Sequence, residues 1–284
     1  MTRWLVTGAG GQLGRDLVTV LEQAGEKVTA ATRADLDLND LPTVRATVPG
    51  HDVVINTASW TDVDGAEANE GLAHAVNADG AGHLAAVCVK HGAKLVHLST
   101  DYVFPGDGTS PYAEDAPTGP VNAYGRTKLA GERYVLDQGG YVVRTAWLYG
   151  AHGRNFVKTM LRLAAERDTL TVVDDQRGQP TWSMALARRL VELANLADAP
   201  PGAYHGTASG ETTWCGLARE IFAAAGLDPE RVRPITSDQY PLPAKRPAYS
   251  VLGHDRWAEA GLPPMTDWKA MLHEAMPTFL ARTG

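Results

Sequence analysis

Only two of the 284 residues are cysteine, Cys88 and Cys215, and neither stands in a C-x-x-C pair or beside a histidine pair. A disulfide framework and a cysteine-based zinc site are therefore set aside, and both thiols are expected to be buried or semi-buried. Basic residues are in deficit, with 26 Lys and Arg against 33 Asp and Glu and a net charge of -7. That balance provides no electrostatic footprint for a nucleic acid polymer or an acidic membrane surface. No apolar run is long enough to span a bilayer, and a lone Arg3 precedes Trp4-Leu5-Val6-Thr7 without a signal-peptide pattern. The cytoplasm is the expected address. The nine histidines form no ligand-spaced cluster; His51, His91 and His97 are expected to cap or line the sheet, and no metal is expected. No G-x-S-x-G supports a hydrolase.

What is present is alternation. Short runs rich in Val and Ile, at Trp4 to Thr7, Lys27 to Ala31, Asp52 to Ala58, Lys94 to Thr100 and Tyr141 to Trp147, read as strands. Helical patterns lie between most of them, at Gln12 to Ala24, Pro42 to Thr47, Gly71 to His91 and Asn122 to Gln138. Several end at Gly25, Gly92 and Gly139-Gly140. Continuous apolar strands separated by helices imply a parallel sheet covered on both faces. The expected class is α/β, a doubly wound parallel Rossmann sheet over residues 1–150, with a smaller α+β substrate lobe over 151–284. Some segments of the lobe are expected to return to the sheet. In the lobe, helices are read at Asn155 to Arg167, Met184 to Leu196 and Thr213 to Ala225, and strands at Leu170 to Val173 and Tyr204 to Thr207.

The first strand runs directly into Thr7-Gly8-Ala9-Gly10-Gly11-Gln12-Leu13-Gly14. Gly8, Gly11 and Gly14 let the backbone turn tightly, so that the loop Gly8, Gly10, Gly11, Gln12, Leu13 and Gly14 brings its amides against a dinucleotide pyrophosphate at a helix N-terminus. The second strand ends Ala30-Ala31-Thr32-Arg33, with no carboxylate for a ribose 2′-hydroxyl, while Arg33 suits a 2′-phosphate. This favours NADPH, with NADH also accepted if Arg33 is merely solvated. Asp37-Leu38 would then lie against the adenine, the carboxylate taking its amino group.

Tyr124 and Lys128 stand one helical turn apart in Asn122-Ala123-Tyr124-Gly125-Arg126-Thr127-Lys128. On a helix they share a face, where the ammonium is expected to stabilise the ionised phenol and so lower its pKa. Joined to the glycine loop, the pair reads as a hydride-transfer site with Tyr124 as general acid.

Several segments carry a family likeness: Ser99-Thr100-Asp101-Tyr102-Val103-Phe104, Tyr124 to Glu132, Asn155-Phe156-Val157, Asp175 to Thr181 and Arg246 to Ser250. Through these the chain resembles the dTDP-4-dehydrorhamnose reductases, a branch of the extended short-chain dehydrogenase/reductases. The resemblance implies a catalytic set of Thr100, Tyr124 and Lys128. It implies a nucleotide-sugar substrate whose C4 ketone is reduced, giving dTDP-L-rhamnose, with Lys128 also holding the nicotinamide ribose. It further implies that Ala58 and Ser59 pass under the cofactor, that Thr61 and Val63 approach the sugar, and that Trp147 forms an aromatic wall for it. Asp101 and Tyr102, beside Thr100, are counted with the substrate contacts. Asn155, Gln176 and Arg246 are candidates for grasping the nucleotide diphosphate, Arg being suited to bidentate phosphate contact. Trp60 stands where the family more often has Tyr or His. Some relatives form metal-bridged dimers through glutamates; Asp16 stands at one such position, and the chain is expected to be a monomer or homodimer without metal.

Rival readings keep the same scaffold. An epimerase or dehydratase would retain Tyr124 and Lys128, but a dehydratase commonly has Asp-Glu after the catalytic Thr, where this chain has Asp101-Tyr102. A 4-ketoreductase for another deoxysugar differs by only a few contacts in the lobe. A non-catalytic nucleotide-binding regulatory subunit has no need of Thr100, Tyr124 and Lys128 together.

Overall fold

The computed structural model describes residues 1–281. The first half of the chain lays down β1 (Arg3–Thr7), α1 (Gln12–Gln23), β2 (Lys27–Ala31), α2 (Leu41–Thr47) and β3 (Val53–Asn56). Next come α3 (Val63–Ala68), α4 (Glu70–His74), α5 (Gly80–His91), β4 (Lys94–Thr100), α6 (Ala123–Asp137) and β5 (Tyr141–Thr145). The second half adds β6 (Leu148–Tyr149), α7 (Phe156–Glu166), β7 (Leu170–Val173), β8 (Arg177–Gly178), β9 (Thr181–Trp182), α8 (Ser183–Asn195) and β10 (Gly202–His205). Helices α9 (Trp214–Ala224), α10 (Asp255–Glu259) and α11 (Trp268–Leu280) complete it.

The central sheet is parallel, in the order β2-β1-β3-β4-β5-β10. Alternate side chains of its strands feed two cores. Trp4, Val6, Ile55, Val96 and Leu98 face α1 and α8, while Leu5, Val54 and Leu95 face α2 and α5. This is why the inner strands read as unbroken apolar runs. The edge strand β2 is largely exposed. Residues after 150 supply β10 and α8 to this layer, and the core between α1 and the sheet runs on without interruption to Phe222, Trp257 and Phe279.

Two elements differ from the sequence reading. The single helix expected from Gly71 to His91 is α4, a π-helical turn at Ala75–Asp79 and α5. The wide turn points the Asn77 side chain at the segment after β3, where its Oδ1 accepts the Trp60 amide at 2.8 Å and the Ser59 hydroxyl at 3.0 Å. Its Nδ2 donates to Thr127 Oγ1 of α6. π-Bulges of this kind are frequent at functional sites. Likewise β5 stops at Thr145 instead of reaching Trp147, which has φ +46, the one non-glycine residue with positive φ among those described. The smaller shifts, β3 ending at Asn56 and β10 spanning Gly202–His205, place polar side chains at the strand ends.

Candidate active site

At the carboxyl edge of the sheet the loop after β1 lies against the loop after β3. Gly8 has φ +67, and a Cβ on it would come within 2.6 Å of the Ala58 amide nitrogen; one on Gly14 would collide with the Gly8 carbonyl. The backbone therefore forms a close cradle that only glycine permits. Gly11 caps α1 with no side-chain hydrogen bond, leaving its first-turn amides clear of protein side chains. Beneath it, Thr7 donates to Asn56 Oδ1 at 2.6 Å and the Asn56 amide donates to His97 Nδ1 at 2.9 Å, a polar tie across β1, β3 and β4 at one register.

The cradle opens into a cleft of 710 Å³. Gly8, Gly10, Gly11, Gln12, Leu13, Gly14, Arg33, Asp37, Leu38, Ala58, Ser59, Tyr124 and Lys128 all line it, together with Thr61. Arg33 is on the rim with an 83% exposed side chain, 3.9 Å from Asp37. The cleft also includes Ser99, Thr145, Gly153 and Arg154, which the sequence reading did not single out. Gly153-Arg154 follows Tyr149-Gly150 after a strand, a position where ligand loops occur in open α/β sheets, and that was the available signal.

Thr100 ends β4. Its hydroxyl donates to Asp101 Oδ1 at 3.0 Å and accepts the Tyr102 amide at 3.2 Å. Tyr124 lies in the first turn of α6, whose N-terminus is capped by Asn122 Oδ1 accepting the Gly125 amide at 2.8 Å. Its ring meets Tyr102 edge-on, with centroids 6.0 Å apart, and packs with Trp60 over Ala66, Ala73 and Ala123. Lys128 is 2% exposed and donates to the Leu98 carbonyl at 2.5 Å.

The electrostatics correct one expectation. Tyr124 is pushed up to about 12, by burial first and then by the Asp101 charge, with hydrogen bonds to Thr100 and Ser59 pulling the other way. Lys128 is not among the groups that shift it; the ammonium donates to the Leu98 carbonyl, and burial brings Lys128 itself down to about 8 against the opposing pull of Glu132. The consequence is a phenol fully protonated at neutral pH.

The description of one family, the RmlD substrate binding domain, matches residues 2–280. The chain belongs to that family. It is 54% identical to a dTDP-4-dehydrorhamnose reductase of Streptomyces griseus over 99% of this chain and 95% of the relative. It is 53% identical to a dTDP-4-keto-6-deoxy-D-glucose reductase of Streptomyces niveus over 97% and 96%. Among solved structures, a dTDP-4-dehydrorhamnose reductase of Bacillus anthracis in complex with NADP is 36% identical, with a TM-score of 0.93 over 98% of this chain and 99% of that one.

In this RmlD-family chain the remaining expected residues are partly occupied by the protein itself. Asn155 caps α7, its Oδ1 accepting the Lys158 amide and its Nδ2 donating to Gly150 O and Gln12 Oε1. It holds the cofactor loop to α7, and with these bonds made it offers no free group to a diphosphate. Gln176 accepts the Trp214 indole N–H and donates to Ser237. Arg246 is paired with Asp64 of α3 at 2.8 Å, and Val63 stands at the start of that same helix. Trp147 stacks on Trp214 with centroids 3.6 Å apart and 10° between planes. Trp214 was missed because nothing near it in sequence marks it. Asp16 is buried and accepts the Ser183 hydroxyl at 2.5 Å, with His152 at 3.7 Å. Among the described residues no helix is long and apolar enough to cross a membrane.

Proposed function

We propose that this chain is an NADPH-dependent nucleotide-sugar 4-ketoreductase that reduces the C4 ketone of dTDP-4-dehydro-L-rhamnose to dTDP-L-rhamnose. The observation that carries the reading is the meeting, at one end of the sheet, of a strand-end hydroxyl, a protonated phenol and a buried ammonium beside a glycine cradle. The likeness to the Streptomyces griseus reductase and to the NADP-bound Bacillus anthracis enzyme supports the substrate class and the cofactor.

The cradle fits a dinucleotide pyrophosphate, since any side chain at Gly8 or Gly14 would fill it. The loop Gly8 to Gly14 would hold the diphosphate, Arg33 the ribose phosphate and Lys128 the nicotinamide ribose. When bound, the cofactor supplies a hydride. The chain supplies the rest: Tyr124 gives its proton to the substrate oxygen and Thr100 hydrogen-bonds to that oxygen. Joint retention of these groups argues against a purely regulatory subunit.

The Streptomyces niveus relative favours a second reading, a ketoreductase acting on a 4-keto-6-deoxy-D-glucose. Oxidation of NADPH, followed optically with dTDP-4-dehydro-L-rhamnose and with its unepimerised precursor, separates the two. Turnover with the first alone supports the leading reading, with the second alone the other, and with neither rejects both.

A further inference from the structure

Asp101 follows Thr100 and is 3% exposed. Its Oδ1 accepts the Thr100 hydroxyl, and its Oδ2 makes no hydrogen bond of normal geometry among the described residues. Removing a carboxyl from water favours its neutral form. Burial pushes Asp101 up to about 6, against the Ser250 and Thr100 hydroxyls and the Asp101 and Tyr102 backbone amides, which pull it down.

The direction of the hydrogen bonds at Thr100 depends on the charge of this carboxyl. The Thr100 hydroxyl has one proton and two lone pairs. One lone pair takes the Tyr102 amide, and Tyr124 is a further partner. Beside a carboxylate, Thr100 must give its proton to Asp101, and its second lone pair then accepts from Tyr124. Both hydroxyls are thereby turned away from a substrate oxygen. Beside a carboxylic acid the order reverses: Asp101 donates to Thr100, the Thr100 proton is released, and Tyr124 is no longer needed as a donor to Thr100.

We infer that Asp101 is a positioning residue that acts in its protonated form, aiming the Thr100 hydroxyl at the substrate oxygen so that Thr100 and Tyr124 converge there as two donors. No proton is consumed at Asp101, because the hydrogen bond is only reversed. The inference rests on the reductase reading above. The titratable groups that feel the Asp101 charge are Tyr102 on its own turn and Tyr124 on α6; Asp64 on α3 and Arg246, between α9 and α10, act in turn on Tyr102, and Lys128 lies one helical turn beyond Tyr124. Both phenols are pushed up, Asp64 is held low, Lys128 is at about 8, and His97 behind β4 is pushed well down by burial. Near pH 6 Asp101 is thus the group among these that changes charge, with Lys128 following at about 8.

Single-turnover rates of NADPH oxidation with dTDP-4-dehydro-L-rhamnose test this. The wild-type rate should be level at low pH and fall above about pH 6, approaching about tenfold per unit. Asp101→Asn, whose amide donates at every pH, should abolish the fall and, at saturating substrate, match or exceed the wild-type rate at about pH 7.5. A retained fall, or a level rate below wild type throughout, overturns the inference. Should that variant fail to fold, Thr100→Val decides: its residual rate should be level with pH, and persistence of the fall counts against Asp101. Absence of wild-type turnover at any pH rejects the reductase reading itself, whereas turnover with a level profile rejects only the role of Asp101.

Discussion

At Tyr124 the protein does the opposite of what the neighbouring lysine suggests. Burial and Asp101 raise the phenol to about 12, which keeps the donor loaded and leaves the developing charge on the substrate oxygen to draw the proton away. Tyr124→Phe should therefore lower kcat about a hundredfold or more while the Kd for NADPH, from fluorescence titration, stays within about twofold, since only the proton donor is lost. Near wild-type turnover in that variant would remove Tyr124 from the mechanism. Arg33, almost fully exposed on the rim, competes with nothing stronger than a distant Asp37. Arg33→Ala should weaken NADPH binding about tenfold more than NADH binding; equal losses would mean that Arg33 meets no phosphate. The Tyr124 and Lys128 pair was legible in the sequence because its meaning is local to one helical turn. Ser250 beside Asp101, and Trp214 on Trp147, come from remote parts of the chain, and no short-range pattern could announce them.

Among the elements, β4 coincides with its apolar run, since a buried parallel strand owes its limits to local hydrophobicity. The stretch 71–91 is different. Its apolar spacing is that of one helix, and the extra backbone residue in the π-turn leaves no mark in a hydrophobic pattern. What holds the turn is tertiary: Asn77 bonds to Trp60 and Thr127, and its carbonyl lies so close to Gly131 that a Cβ there would overlap it. Gly to Ala inside a helix ordinarily gains about 1 kcal/mol. Gly131→Ala should instead cost about 3 kcal/mol in urea unfolding, and a stabilised variant would show that α6 and the π-turn can separate freely.

On the scale of the molecule, the expected boundary near residue 150 divides the chain without dividing the core. β10 pairs with β5, α8 packs beside α1, and one apolar cluster joins the sheet to α9 and α11. The segment near Arg246 is fastened to the sheet half as well, through Asp64 and through Asn122, which donates to the Lys245 carbonyl. Unfolding in urea should accordingly be one cooperative transition, with far-ultraviolet circular dichroism and tryptophan fluorescence giving the same midpoint. Two separated midpoints would show that the halves stand alone. Periodicity indicates the layers, and a return of lobe segments to the sheet is expected, but which strand returns and where it pairs depends on strands adding to the sheet out of sequence order.

The two nearly parallel, stacked indoles of Trp147 and Trp214 have an optical consequence. Transition dipoles held that close couple, so the native protein should show a bisignate exciton band that disappears in either Trp→Phe variant. Because Gln176 steadies one ring and a left-handed backbone the other, any molecule that parts or tilts them would announce its arrival as a change in that band, with no label attached.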